Sequence, residues 1–326
     1  MMKISILGTS SSLPTKERNH PGIFLKFKDS GILFDCGENV QRQLRIMDIS
    51  PTDINYILIT HWHGDHILGL PGILFSLSNF GYNKELNIII PEENIDNLKE
   101  IIEGFNIPIN FNINIIKAKN GLIVDEKNFQ IYGIETKHSV KSFSYYFIEK
   151  PYIKLDKELL DKYNIKNKEI IKKLKEGEKV NINGKIISYN DVGYLKKGLK
   201  ITYITDTIFF DKLIEFAKDS TILISESTYF FQADLAKKNM HMDFLEAREI
   251  FKRSNSKILL LTHFSQRYEK EMNNIKKDIE SKNENIYILD DYDEIIMQKN
   301  ILELRLSNRV IRYKYDEKTG NLSILQ

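Results

Sequence analysis

Strands and helices interleaved without a break predict a single α/β domain spanning residues 1–326. Three observations carry this expectation. Short strand-like runs recur along the chain, amphipathic helical periodicity lies between several of them, and no Pro/Gly/Ser-rich linker separates one part from another. No repeat of fixed period is present.

The strand-like runs come in order as "KISILG", "GIFLKF", "GILFD", "NYILIT", "LNIIIP", "QIYGIETKH", "SYYFIE", "LKITYITD", "STILISES" and "SKILLLTH". Helical spacing appears in "PEENIDNLKEIIEGF", where Ile95, Leu98, Ile101 and Ile102 share a face. It appears again in "HMDFLEAREIFKRSN", where Phe244, Leu245, Arg248 and Phe251 fall at helical intervals. One segment differs in composition. Between Lys150 and Lys200 there are fourteen lysines, no arginine and seven acidic residues. Its middle reads as helical pieces broken by Asn and Gly, followed by a turn at "NING". Two readings stand for this inserted segment at about 150–200: a solvated lysine-rich face, or an arm that holds a polyanion through its phosphates.

Bulk properties bound the function. The chain is 42% hydrophobic and 28% charged, with a net charge of +2, so overall charge does not announce nucleic-acid binding. The single cysteine, Cys36, excludes an internal disulfide, suits a reducing cytoplasm, and reads as a buried structural thiol. No apolar run approaches the ~20 residues of a membrane span, so a cytoplasmic protein without membrane attachment is expected.

The chemistry concentrates in "THWHGDHILGLPG", residues 60–72, which holds three of the seven histidines. His61, His63, Asp65 and His66 follow a strand-like run directly, and imidazole and carboxylate are the ligand types that hold zinc. His138, Asp206 and His263 each end another strand-like run. Side chains at several strand ends can converge, and these seven exceed one tetrahedral shell. They suit two ions sharing a bridging carboxylate, an arrangement that clamps the attacking and leaving oxygens of a displacement at phosphorus. Phosphodiester hydrolysis is therefore expected over redox chemistry. His20, in "RNHPG", has no role in this set, and solvent exposure is expected for it.

Several motifs together resemble the ribonuclease Z (tRNase Z) family of the metallo-β-lactamase superfamily. They are "PTKERN" at 14–19, "FDCGENVQRQL" at 34–44 with Asp35, "HWHGDHILGLPG", "TKHSVKSFSY", "YITDT", "ISESTYF" and "LTHFSQRY" at 261–268. The resemblance implies a four-layer αββα sandwich with a protruding arm, here lysine-rich, and two Zn2+ per chain. By it, His61, His63 and His138 hold one zinc and Asp65, His66 and His263 the other, with Asp206 bridging. Asp65 also orients the nucleophilic hydroxide or accepts its proton, and Glu226 with His241 forms a dyad that protonates the leaving oxygen. On the residues alone, His241 could equally cap a helix or lie at the surface.

The family further implies removal of the 3′ trailer of precursor tRNA, leaving a 3′-hydroxyl on the tRNA, by a homodimer. Lys16, Arg18 and Asn19 of the "PTKERN" loop, and Lys172, Lys173 and Lys175 of the arm, are the expected substrate contacts. The sequence departs from the family at Thr205 (usually Gly), Met242-Asp243 (usually Ser-Thr), Ser144 (Gly) and Lys141 (Pro). The arm lacks the family's Gly-Pro-rich tip, with "NIKNKEII" in its place. Two rival functions stand beside this one. A small-diester or cyclic phosphodiesterase of the same superfamily would need neither arm nor "PTKERN", and a non-catalytic RNA-binding subunit would be expected to have lost ligands.

Overall fold

Two large sheets face one another in the computed structural model, which describes residues 1–325. The first has ten strands, ordered 322–325, 309–315, 301–306, 294–298, 2–8, 22–27, 30–34, 56–58, 86–90 and 113–117. The second has seven, ordered 286–288, 259–262, 222–226, 200–204, 142–149, 129–136 and 121–125. Alternation along each strand divides its side chains between two layers. Leu25, Phe27, Ile32, Phe34 and Leu58 of the first sheet meet Ile131, Phe147, Ile201, Tyr203 and Ile224 of the second in the central core.

Outward-facing residues are covered by helices. Leu33, Ile57, Ile59 and Ile88 pack under Leu70–Asn79 and Ile95–Gly104. Leu223, Leu259 and Leu261 pack under Phe244–Arg253 and Met272–Glu280. This is the expected αββα sandwich, and Cys36 is buried within it.

The helix at 244–253 forms as expected but buries a different stripe. Phe244, Ala247, Ile250 and Phe251 face the core, whereas Leu245 is half exposed and Arg248 pairs with Glu284 instead. Small Ala247 allows the helix to approach the sheet, and the long Arg248 side chain reaches the surface beside it. Asp243, one of the departures from the family, caps this helix by accepting from Leu245 N and Glu246 N.

The lysine-rich segment leaves the second sheet after Glu149 and returns at Lys200. Its two strands, Tyr152–Leu155 and Gly193–Lys196, pair antiparallel as a stalk. Beyond them lie helices Lys157–Lys162 and Lys168–Lys175, capped by Asp156 and Asn167. A hairpin follows, pairing Val180–Ile182 with Lys185–Ile187. Its turn is the expected one, with Asn183 and Gly184 at φ 53° and 84°, the left-handed pair that a two-residue hairpin loop requires. Ile165, Leu174, Val180, Ile187 and Val192 give the arm its own small core, and Lys172, Lys173 and Lys175 stand exposed around it.

Phe147 is fully buried between the sheets and stacks on Phe129, with ring centroids 5.3 Å apart. Phe147→Ala is expected to lower unfolding stability by about 3–5 kcal/mol, read by urea denaturation. A loss under ~1 kcal/mol would mean that the sheets close over the gap.

Candidate metal centre and active site

Strands 30–34, 56–58, 86–90 and 113–117 run parallel in the first sheet. Strands 200–204, 222–226, 259–262 and 286–288 run parallel in the second. The carboxyl ends of these strands, together with that of the antiparallel strand 129–136, deliver the polar residues. Asp35 follows Phe34, and His61 and His63 follow the strand ending at Leu58. Asp65 and His66 sit on the short helix Gly64–Ile67. The second sheet supplies His138, Asp206, Glu226 and His263 from the ends of four strands.

Three of these residues hold left-handed backbone: Asp35 at φ 55°, Asp206 at 45° and His263 at 62°. Such backbone is uncommon outside glycine and turns each side chain off its strand axis into the cleft. A close backbone approach fixes the first loop. A Cβ on Gly69 would lie 2.1 Å from the Gly37 carbonyl oxygen, so this contact between the loop after Asp35 and the "GLPG" segment admits no side chain.

All seven candidate ligands come together. His63 Nδ1 lies 2.9 Å from His61 Nε2 and 3.2 Å from His138 Nε2. Asp206 Oδ2 is 3.7 Å from each of those two Nε2 atoms. Its other oxygen, Oδ1, is 3.4 Å from His66 Nε2 and 3.2 Å from His263 Nε2. Asp65 Oδ2 is 3.5 and 3.7 Å from the same two nitrogens. Donors about 2.1 Å from a tetrahedral centre stand about 3.4 Å apart, so both groups have the spacing of one coordination shell.

The outer ring nitrogens settle the tautomers. His66 Nδ1 donates to Asp35 Oδ2 at 2.9 Å, and His138 Nδ1 to the Met240 carbonyl at 2.9 Å. Thr228 gives its hydroxyl proton to Glu226 Oε2, so its oxygen accepts from His263 Nδ1 at 2.9 Å. Each of these rings therefore turns its Nε2 inward. His66 Nε2 and His263 Nε2 are buried and have no hydrogen-bond partner, a costly state that a cation would relieve.

Charge points the same way. Among the described residues, the ion-pair partners of Asp35, Asp65, Asp206 and Glu226 are all imidazoles. Burial, then the charge on His66, holds His61 well below the usual histidine range, and burial lowers His63 as well. For Asp65 burial works the other way, but His66 and His263 prevail and hold its carboxyl far below the usual range. His66 is raised despite burial because Asp35, Asp65 and Asp206 surround it. The donor set thus combines imidazoles with ionised carboxylates, a combination that suits a divalent cation in place of the proton the carboxylates draw onto His66.

His241 is buried beside this cluster and caps no helix, that role falling to Asp243. Its Nδ1 lies 3.2 Å from Glu226 Oε2. Burial disfavours the charged ring, but Glu226 and then Asp206 outweigh it and push its pKa up to about 9. A cleft of about 240 Å³ opens here, lined by Ser11, Ser12, Tyr229, Asn239, His241 and Gln266 among others. A larger cavity, about 1180 Å³, begins at Thr136 and Lys137 but contains none of the converging acids or histidines. Of the two, only the smaller cleft is lined by one of them, His241, with Thr228 beside it.

Two expectations about the 14–20 loop are corrected. His20 is buried, only 4% exposed, with Nε2 3.2 Å from the Ser12 carbonyl, because the loop folds back over it. Arg18 also points inward. Its guanidinium donates to Thr9 Oγ1, the Leu289 carbonyl and Asp290, and lies over the Phe264 ring, so it does not face a substrate. Asn19 is half-buried and donates to the Glu38 carbonyl, while Lys16 stands exposed.

Other partners escaped the sequence reading. Asp35 was visible as a motif residue at a strand end, but its role as acceptor for His66, Thr60 and Tyr203 was not. Ser12 N donates to Asp65 Oδ2 at 2.8 Å, and Thr205 Oγ1 to Asp206 Oδ1 at 2.7 Å. Thr228, which links Glu226 to His263, lies two residues beyond Glu226 and had no other signal.

Fold and site together define a metallo-β-lactamase-fold hydrolase. The metallo-β-lactamase fold protein YhfI of Bacillus subtilis superposes with a TM-score of 0.64 at 18% identity, covering 90% of this chain and 98% of that one. The short form of human tRNase Z (ELAC1) superposes with 0.66 at 23% identity, covering 91% and 99%. In sequence, ribonuclease Z of Nanoarchaeum equitans is 42% identical over 313 residues, 96% of this chain and 98% of its own length. The chain belongs to the ribonuclease Z family. A family model described as anti-Pycsar protein Apyc1 also matches residues 2–171. That stretch carries His61 to His138 and stops short of Asp206, Glu226, His241 and His263, whereas the ribonuclease Z match runs through them.

Asp35→Asn keeps the shape of the side chain but removes the charge facing His66. It is expected to weaken divalent-cation binding by ~10–100-fold, measured by competition with a chelator. Unchanged affinity would leave Asp35 as a fold residue only.

Proposed function

We propose that this protein is a zinc-dependent endoribonuclease that removes the 3′ trailer of precursor tRNA. The observation that carries the chemistry is Asp206, whose two oxygens face two separate donor groups. His61, His63, His138 and Asp206 Oδ2 would hold one zinc, and Asp65, His66, His263 and Asp206 Oδ1 the other. When bound, such a pair polarises the scissile phosphodiester and lowers the pKa of water at the site.

The chain's own residues then divide the work. Asp65, ionised and oriented by the Ser12 N–H, is placed to accept a proton from the attacking water. As water adds to phosphorus, the bond from phosphorus to the 3′-oxygen breaks. His241 holds a proton at neutral pH, and Glu226 fixes its Nδ1 side. Its Nε2 proton goes to the departing oxygen, which leaves a 3′-hydroxyl on the tRNA and the phosphate on the trailer.

Family membership supports the substrate, and the exposed lysines of the arm, with Lys172, Lys173 and Lys175 at its second helix, support a phosphate grip. Lys16 is the one "PTKERN" contact that this reading keeps. The family resemblance also supports a cytoplasmic homodimer. Among the described residues, no helix is long and apolar enough to cross a membrane.

Precursor tRNA with a defined trailer should be cut at the tRNA 3′ end. Activity should vanish with a chelator and return with zinc. Absence of cleavage by zinc-reconstituted protein that turns over a small phosphodiester would favour the small-diester reading. His241→Ala should slow cleavage by ~10²–10⁴-fold while elemental analysis still finds about two ions per chain. Loss of metal in this variant would move His241 into the coordination shell, and an unchanged rate would make it structural.

A further inference from the structure

The arm's stalk is a two-stranded ribbon, and such a ribbon alone does not hold a fixed angle in water. It is tied to the body by the last hairpin of the other sheet. In the turn between Arg309–Tyr315 and Leu322–Leu325, Glu317 is only 6% exposed. Its carboxylate receives Lys154 Nζ at 2.6 Å from the outgoing stalk strand. From the returning strand it receives Tyr194 OH at 2.5 Å and Lys196 Nζ at 3.5 Å.

The backbone reinforces the contact. Lys197 N donates to the Glu317 carbonyl at 2.8 Å, and Tyr315 OH donates to the Lys197 carbonyl at 3.2 Å. The turn is itself ordered, with Asp316 Oδ1 accepting from Lys318 N and Thr319 N. One nearly buried carboxylate therefore grips both strands of the stalk. Swinging the arm would strip it of three donors at once and leave a poorly solvated charge.

We infer that Glu317 is a positioning residue: the C-terminal hairpin is a brace that sets the angle at which the lysine-rich arm meets the substrate. This rests on the reading of the arm as the tRNA grip. The brace touches neither RNA nor the reacting atoms. It keeps the arm in the competent orientation, so that binding need not first select it from a swinging ensemble.

The test compares Glu317→Ala, Glu317→Gln and the triple variant Lys172→Ala/Lys173→Ala/Lys175→Ala on precursor tRNA, with a small chromogenic phosphodiester as second substrate for the Glu317 variants. If Glu317→Ala leaves about one arm in ten correctly placed, KM for precursor tRNA rises about tenfold. Its kcat, its turnover of the small diester and the log–log slope of tRNA affinity against salt stay as in the parent, because the same phosphates are met once the arm docks. Hydrogen exchange should quicken in Tyr152–Leu155 and Gly193–Lys196. Glu317→Gln, which still accepts hydrogen bonds, should recover part of the loss and also serves if the alanine variant folds poorly.

A triple-lysine variant that binds tRNA weakly beside Glu317 variants with parental KM overturns the brace and leaves the grip standing. No effect from the triple variant overturns the grip itself, and the brace with it. Equal loss by the Glu317 variants on both substrates, with a lowered Tm, makes Glu317 a residue of general stability and also overturns the proposal.

Discussion

Four carboxylates, those of Asp35, Asp65, Asp206 and Glu226, meet in a largely buried pocket where, among the described residues, only imidazoles pair with them. Such charge is costly to keep out of water unless it is paired, and the surrounding structure is organised around that cost. Asp35 is fully buried and is satisfied by Thr60, Tyr203 and His66, which frees it from any need for a cation of its own. Asp65 and Asp206 are less fully satisfied and point at ring nitrogens. The pocket therefore asks for positive charge in the gaps between side chains.

The rings around those gaps are held from behind. A carboxylate, a carbonyl and a hydroxyl take the Nδ1 protons of His66, His138 and His263, so their orientation does not depend on what lies in front of them. Thr228 ties two parts of the site together, because one hydroxyl serves both Glu226, which faces His241, and His263, which faces Asp206. The departures from the family fit around this arrangement without disturbing it. Thr205 donates to Asp206, Met242 fills the core behind His241, and Asp243 begins the next helix.

Much of this was legible in the sequence, for local reasons. A buried parallel strand is a short apolar run, and a polar residue directly after it emerges at the sheet edge, so His61, Asp206 and His263 announced themselves, as did His138 after the antiparallel strand 129–136. Contacts between segments far apart in the chain left no such mark. Arg18 sits in an exposed-looking charged loop, yet it reaches Leu289 and Asp290 some 270 residues away. His20 is buried by a fold-back that periodicity cannot register. On the helix at 244–253 spacing alone did not separate Leu245 and Arg248 from Ala247 and Ile250, because alanine carries little hydrophobic signal while its small size is what the packing needs. Glu317 lies in "YDEKTG", a stretch that reads as an ordinary turn.

The strand ends also have a meaning for folding. His61, His63, Asp65 and His66 come from one sheet, whereas His138, Asp206 and His263 come from the other, so neither half owns a complete donor set. A chain whose sheets have docked out of register has no place for an ion, even if each sheet is well formed. An ion held between the two sheets would thus need both docked in register, and its binding would oppose their sliding apart. The same residues that gather for chemistry would thereby also hold the two halves of the chain together.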